Sequence, residues 1–451
     1  MSGVPGVEII ETSSLGDRSY VVFDGETAVV IDPQRDIDRV TERVADLGAA
    51  ITHVLETHLH NDYVTGGLEL SRTTGAEYVV PAGEDIGYPA RRITDGEVVE
   101  GGTFTLRAVH TPGHTREHVS YVLNDASGTS IGVFTGGSML YDSTGRTDLL
   151  GEENTRELTT AQYRSVRRLA AELPADTEVY PTHGFGSFCA ASATGRDSST
   201  VGEQRESNPA LTQDETRFVD DLLDNLAEYP AYYEHMGVIN RDGPAAVDLS
   251  EPARVDPEEL RRRIELGEWV VDLRKRTAFA AGHLAGSYGF ELSDSFVTYL
   301  GWLYAWGSPL TLIGDDIEQI ATARRELTRI GIDDVQGGAS GTITSLAGDA
   351  GLRSYRVADF AALRAEISRD DVVVLDVRRS DEFEQGHVAN AVNIVVHELA
   401  DRVDELPEAQ IWVHCASGYR ASVAASVLDR HGREVVLVDD SYGTAEELGL
   451  T

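Results

Sequence analysis

Cysteine is nearly absent from this chain: its 451 residues include two, Cys189 and Cys415. Two cannot build a disulfide framework, and a zinc ribbon needs more, so both are excluded and a reducing, cytoplasmic setting is expected. Lysine is scarcer still, with Lys275 the sole example among 38 basic residues, against 76 acidic ones, for a net charge of −38. Such a surplus excludes a nucleic-acid partner, because phosphates are repelled rather than steered in. The acid is spread along the whole chain instead of gathered in a tail, which marks it as a surface property of every domain. That pattern fits a halophilic protein, for which concentrated salt screens the self-repulsion. Long apolar runs are missing too: nothing reaches the ~18 residues of a membrane span. Met1 to Glu11 has no basic segment leading into an apolar stretch, so the expectation is a protein neither exported nor embedded in a membrane.

What is present is organised in blocks. Strands are read at 20–23, 28–32, 51–57, 78–81, 103–109, 120–123 and 131–135, and helical spacing at 37–47 and 160–173. Residues 194–209 turn polar and rich in Ser, Gly and Thr, the mark of a long surface loop or arm. A helix is read at 215–226 and a linker at 240–255. Beyond it lies an internal duplication. Val270-Val271-Asp272-Leu273-Arg274 is followed by Phe279, Gly282, His283 and Ala285, and Val374-Leu375-Asp376-Val377-Arg378 by Phe383, Gly386, His387 and Ala389 at the same offsets. Leu310-Thr311-Leu312-Ile313-Gly314 pairs likewise with Ile411-Trp412-Val413-His414-Cys415. Two copies of one α/β unit therefore stand in tandem, each alternating buried strands with helices as a parallel sheet requires.

The second copy carries chemistry. Cys415-Ala416-Ser417-Gly418-Tyr419-Arg420 lies between an apolar strand and a helix, so backbone N–H groups and the helix N-terminus converge on the sulfur and favour thiolate. Arg420 adds positive charge at the end of the loop. This arrangement implies nucleophilic sulfur transfer through a cysteine persulfide, with Cys415 and Arg420 as catalytic residues. Together with Leu375-Asp376-Val377-Arg378 and the 382–388 segment, the loop resembles the rhodanese family. A thiol-dependent phosphatase or arsenate reductase is the alternative, but those loops are usually longer. The first copy has Gly314 where Cys415 stands, followed by Asp315-Asp316-Ile317-Glu318, and resembles an inactive rhodanese-like domain with a packing or partner-binding role.

Thr57-His58-Leu59-His60-Asn61-Asp62 follows a predicted strand, and His114 and His183 each follow another. Histidines two apart at a strand's end, with a carboxylate behind them, point imidazoles toward one ion. His58, His60, His114, Asp62 and His183 are therefore the candidate metal ligands, while His53, His110 and His118 are read as structural. The constellation resembles the metallo-β-lactamase superfamily, with Asp32 on an early strand. Its glyoxalase II and persulfide dioxygenase branch is similar at Gly145-Arg146-Thr147-Asp148 and in the 203–210 segment. That branch implies a mononuclear iron, with zinc the alternative, and oxidation of a thiol persulfide to sulfite. Two departures stand out. Tyr63 replaces a further histidine, which removes a second metal, and Gly137 replaces the aspartate that would complete a two-histidine, one-carboxylate iron site.

The expected architecture is a multidomain α/β chain: an αββα metallo-β-lactamase sandwich at 1–240, then two parallel-sheet rhodanese-like domains at 256–346 and 354–451, only the last with its cysteine. The expected function couples a metal-dependent persulfide dioxygenase-like domain to sulfur transfer at Cys415, with a low-molecular-weight thiol persulfide or thiosulfate as partner. Two alternatives stand beside it: a sulfurtransferase on an inactive metallo-β-lactamase scaffold, and a glyoxalase II-type thiolester hydrolase. Family resemblance also implies a homodimer.

Overall fold

The computed structural model describes residues 4–191, 195–349 and 351–451. Thr194, at the edge of the polar segment, and Met1 to Gly3 lie outside them. The chain divides into two compact units: the first runs to Asp248 and includes Thr328–Gly331, and the second comprises Leu249–Leu327 and Ile332–Thr451.

The first unit is two sheets face to face with helices outside. The six-stranded sheet runs in chain order through Gly6–Thr12, Asp17–Phe23, Thr27–Ile31, Ala50–Leu55, Glu77–Pro81 and Arg91–Ile93, antiparallel for its first two pairings and parallel thereafter. The five-stranded sheet has the order Glu178–Pro181, Ser130–Gly136, Val119–Asn124, Thr105–His110, Val98–Glu100. Period-two alternation sets what each strand buries. Tyr20, Val22, Val29, Ile31 and Leu55 enter the layer between the sheets with Tyr121, Leu123 and Phe134. Val21, Val30 and Val54 point the other way, under helices Asp38–Asp46 and Gly67–Thr74. On the opposite flank, helix Glu152–Glu172 buries Leu158, Gln162, Val166 and Leu169, a stripe with the spacing of one helical face.

The second unit holds two larger sheets in which every strand pairing is parallel, besides the short antiparallel pair of His283–Leu284 with Leu352–Arg353. One has the order Tyr288–Gly289, Trp269–Asp272, Leu310–Gly314, Val335–Ser340, and the other Arg356–Ala358, Val435–Val438, Gln410–His414, Val372–Asp376, Val392–Asn393. The duplication persists in side-chain detail. Arg274 grips Asp272 and donates to the Gly282 carbonyl at 2.8 Å, and Arg378 grips Asp376 and donates to that of Gly386 at 2.7 Å. Asp272 pairs with Ile313 and Asp376 with His414, which fixes Gly314 as the counterpart of Cys415.

The polar 194–209 segment departs from a plain loop. Thr200 accepts from the Glu203 N–H while Glu203 accepts from the Thr200 N–H, a reciprocal cap that starts helix Val201–Ser207. Helix Glu152–Glu172 begins eight residues ahead of the expected 160 because Glu152 and Glu153 favour its positive end. The 240–255 linker overlaps helix Tyr233–Asp242. No helix among the described residues is long and apolar enough to cross a membrane.

Candidate metal centre and cysteine loop

The C-terminal ends of the strands of both sheets deliver histidines to one buried point. His58, His60 and Asp62 follow Ala50–Leu55, His114 follows Thr105–His110 and His183 follows Glu178–Pro181. The rings of His58, His114 and His183 form a near-equilateral triangle, with centroids 4.8, 5.3 and 5.3 Å apart. Their candidate ligand atoms all lie within 4.8 Å of one another.

Hydrogen bonds settle which nitrogen each ring presents. His114 Nδ1 lies 2.7 Å from the Arg146 carbonyl, which only accepts, so Nδ1 carries the proton and Nε2 a lone pair. Thr57 donates its hydroxyl proton to Asp32 at 2.7 Å, so it accepts from His58 Nδ1 at 2.9 Å. His183 Nδ1 donates to Asp17 at 2.9 Å, with Asp62 at 3.1 Å. Nε2 of His183 faces Nε2 of His58 at 3.3 Å. All three rings thus turn Nε2 inward, each oriented by a partner on Nδ1, the arrangement by which proteins fix histidine ligands.

His60 is placed differently. Its Nε2 lies 3.2 Å from Glu56 and 3.3 Å from Asp32, with the Tyr63 hydroxyl 3.0 Å away. Nδ1 is left toward Asp62 and His183, with which His60 forms a second ligand-capable group that shares His183 with the first. His114 Nε2 and His60 Nδ1 are buried without a hydrogen-bond partner among the described residues, and the buried Asp62 carboxylate beside them meets His183 Nδ1 at 3.1 Å. Buried polar atoms left without a partner are costly, and imidazole nitrogens gathered beside a carboxylate are what a divalent cation satisfies.

Charge around the site is sharply divided. Burial and the neighbouring His60, His114, His118 and His183 hold His58 far below the ordinary histidine range, and burial with His183 brings His114 down to about 3. Burial also acts on His183, but Asp62 and Asp17 outweigh it and carry the group up to about 10. His60 is likewise raised to about 9, against burial, by Asp32 and Glu56. Asp17 rises to about 7 through burial and the Asp62 charge. Asp32 anchors the cluster: it accepts from the Thr57 N–H at 2.7 Å and from Thr182 Oγ1 at 2.5 Å, and holds the strained φ of 50°.

At Gly137 a Cβ atom would lie 2.2 Å from Cδ2 of His114, so the His114 ring occupies the space an aspartate side chain needs. The Gly137 N–H donates instead to His118 Nε2 at 3.1 Å, and His118 stacks on His58, in keeping with a structural role. Gln162 stitches this corner together: its Oε1 accepts from the His114 N–H, and its Nε2 donates to the carbonyls of Gly137 and Ser138. Asp17, Glu56 and Gln162 have no motif around them, and no signal in the sequence announces them.

In the second unit the loop after Gln410–His414 turns into helix Tyr419–Arg430 through Gly418, whose φ is +91°. A side chain there would meet Asp439 at 2.0 Å, so both the conformation and the close approach require glycine. The Gly418 N–H donates to Cys415 Sγ at 3.2 Å, and Cys415 is 1% exposed. Arg420, the positive charge at the end of the loop, is held by Glu382 through both oxygens, at 2.5 and 2.9 Å. In the other copy Gly314 leads into Asp315, whose N–H donates to Gln319, with no thiol or arginine in the turn.

A metallo-β-lactamase sandwich joined to a rhodanese-type cysteine loop is the class that this fold and these two sites define. The metallo-beta-lactamase superfamily matches residues 17–183 and the rhodanese-like domain family residues 359–444. The human mitochondrial persulfide dioxygenase ETHE1 is 31% identical over 250 residues, which are 54% of this chain and 82% of the relative. The hydroxyacylglutathione hydrolase of Methylococcus capsulatus is 31% identical over 58% of this chain and 91% of its own length. A metallo-beta-lactamase structure from Staphylococcus aureus superposes with TM-score 0.67 at 26% identity, covering 75% of this chain and all of its own. The chain belongs to the metallo-beta-lactamase superfamily, among homologues of ETHE1 and glyoxalase II, and carries a C-terminal rhodanese-like domain. These relatives support a function in sulfur metabolism or hydrolysis.

Proposed function

We propose that this chain is an enzyme of persulfide metabolism, in which the first unit oxidises a thiol persulfide at one metal ion and Cys415 exchanges sulfane sulfur with the same pool. The convergence of the ring nitrogens of His58, His114 and His183 within 4.8 Å of one another, beside the buried Asp62 carboxylate, carries this reading. Relationship to ETHE1 favours iron over zinc. A bound ion would supply a Lewis-acidic, redox-active centre for oxidation of the persulfide. The chain's own residues prepare that centre. Asp17, Thr57 and the Arg146 carbonyl keep the Nδ1 protons in place, Asp62 supplies negative charge, and complete burial of the histidines excludes water. Tyr63, with its hydroxyl on His60 and Asp32, takes the place of a second-metal ligand, which leaves thiolester hydrolysis at a dinuclear centre without its ligands.

At the second site the Cys415 thiolate attacks the outer sulfur of a persulfide. The new S–S bond forms as the old one breaks, the thiolate of the donor leaves, and the persulfide remains on Cys415 with the Gly418 N–H beside it. Gly137 favours one competing reading, a sulfurtransferase carried on a non-catalytic first unit. Metal analysis and oxygen uptake with a thiol persulfide, on protein purified in high salt, separate the two. Near-stoichiometric iron with uptake is expected, and His58→Ala, His114→Ala or His183→Ala should each cut bound metal about tenfold or more. Wild-type metal content in those variants overturns the three-histidine site. Cys415→Ser should abolish sulfur transfer and spare oxygen uptake.

A further inference from the structure

The Cys415 loop is flanked by residues of both rhodanese-like copies, and the charges around it are matched almost to the last. Arg420 is held by Glu382, and Arg379 by Asp381 at 2.8 Å. Arg276 comes from the copy without a cysteine. It donates to Asp439 at 2.8 Å and to Glu291 at 2.7 Å, and it lies against the Gly418 turn. Tyr419, next in the loop, donates to the Glu291 carbonyl at 3.2 Å and sits 5.7 Å from the ring of Tyr299, also from that copy. Among these groups, three guanidiniums face four carboxylates, one negative charge in excess. The bonded Gly418 N–H serves the sulfur of Cys415 itself, which accounts for one anion, the persulfide formed there.

From this bookkeeping we infer that the Cys415 site selects a thiol persulfide as sulfur donor and discriminates against thiosulfate, with Glu382 and Glu291 as the residues that set the preference. The inference rests on the sulfurtransferase reading above. Both donors deliver the same atom: a thiol persulfide releases a thiolate, and thiosulfate releases sulfite, while Cys415 gains one sulfur in either case. They differ in what must be desolvated beside a cysteine that is 1% exposed. Thiosulfate brings two negative charges within a bond of the transferred sulfur, and every guanidinium named here is already engaged. An uncompensated charge taken into such a site is costly. A thiol persulfide brings at most one, on the sulfur that moves.

The test is the rate of persulfide formation on Cys415 in the full chain, read by intact mass without oxygen, with cysteine persulfide and with thiosulfate as donors. Wild type is expected to react at least tenfold faster with cysteine persulfide. Glu382→Gln should free Arg420 and raise the thiosulfate-to-persulfide rate ratio about tenfold. Glu291→Gln, outside the cysteine copy, should move the ratio the same way by a smaller factor, and covers the case in which Glu382→Gln does not fold. Equal donor rates in wild type, or a ratio that neither variant moves, overturns the selectivity. No added sulfur from either donor instead overturns the sulfurtransferase reading beneath it.

Discussion

At the scale of single residues, the candidate metal centre turns on which ring atom each histidine presents. His58, His60 and His114 all follow strand ends, yet His60 turns Nε2 to Asp32 and Glu56 while the other two turn Nε2 inward with His183. Gly137 is the partner of that choice, because the His114 ring fills its side-chain space. Gly137→Ala should therefore destabilise the first unit by about 1–3 kcal/mol, the usual cost of overpacking, and displace His114; a melting temperature and metal content equal to wild type would contradict this. In the second unit His414 is fully buried in the strand that ends at Cys415, with Asp376 3.7 Å from its Nε2. Burial holds it below its ordinary value of 6.5. Its contribution is therefore complete above that pH and is lost as pH falls through the folded-state value. The melting temperature of His414→Leu should fall less steeply than that of wild type between about pH 7.5 and 5.5; parallel slopes would refute it.

At the scale of elements, strand ends do the gathering and helix Glu152–Glu172 does the locking. The strands could be read from alternation alone, and all seven expected ones are present, displaced by one to three residues at their ends. What alternation cannot tell is that Gln162, on the buried face of a helix, spends its whole amide on the loops that carry His114 and Gly137. Gln162→Leu keeps the volume but leaves the His114 N–H and the Ser138 carbonyl unsatisfied, at about 1–3 kcal/mol for each buried group, while the Gly137 carbonyl keeps the Gly145 N–H at 3.0 Å. We expect a lower melting temperature together with several-fold weaker metal retention against a chelator. Retention equal to wild type would confine Gln162 to a structural role. The same logic separates the rhodanese-like copies: one strand-turn-helix element carries Cys415 and Gly418, and its twin carries Gly314 and an aspartate-rich turn.

At the scale of the molecule, the dominant quantity is the net charge of −38. Arginine-carboxylate pairs on the surface, such as Arg369 with Glu366 and Asp371, or Arg402 with Glu398 and Glu405, each contribute little. The unpaired carboxylates outnumber them, and their mutual repulsion falls as the Debye length shrinks from about 10 Å at 0.1 M salt to about 3 Å at 1 M. The melting temperature should accordingly rise as potassium chloride is increased from about 0.1 to 3 M, and a flat or falling curve would contradict the halophilic reading.

The sequence by itself determined the two folds and the tandem duplication, and it singled out the five candidate ligands and the candidate nucleophile. Each is written in local patterns: alternation, helical spacing, and short motifs at strand ends. Only the tertiary structure decided that His183 joins His58 and His114 while His60 turns aside, that Asp17 and Gln162 serve the centre, and that the copy without a cysteine lends Arg276 and Glu291 to the other. Those choices depend on which hydrogen bonds and ion pairs close between residues far apart in the chain. Spacing brings a side chain to the right strand end, but the partners already waiting there decide where its charge and its lone pair point.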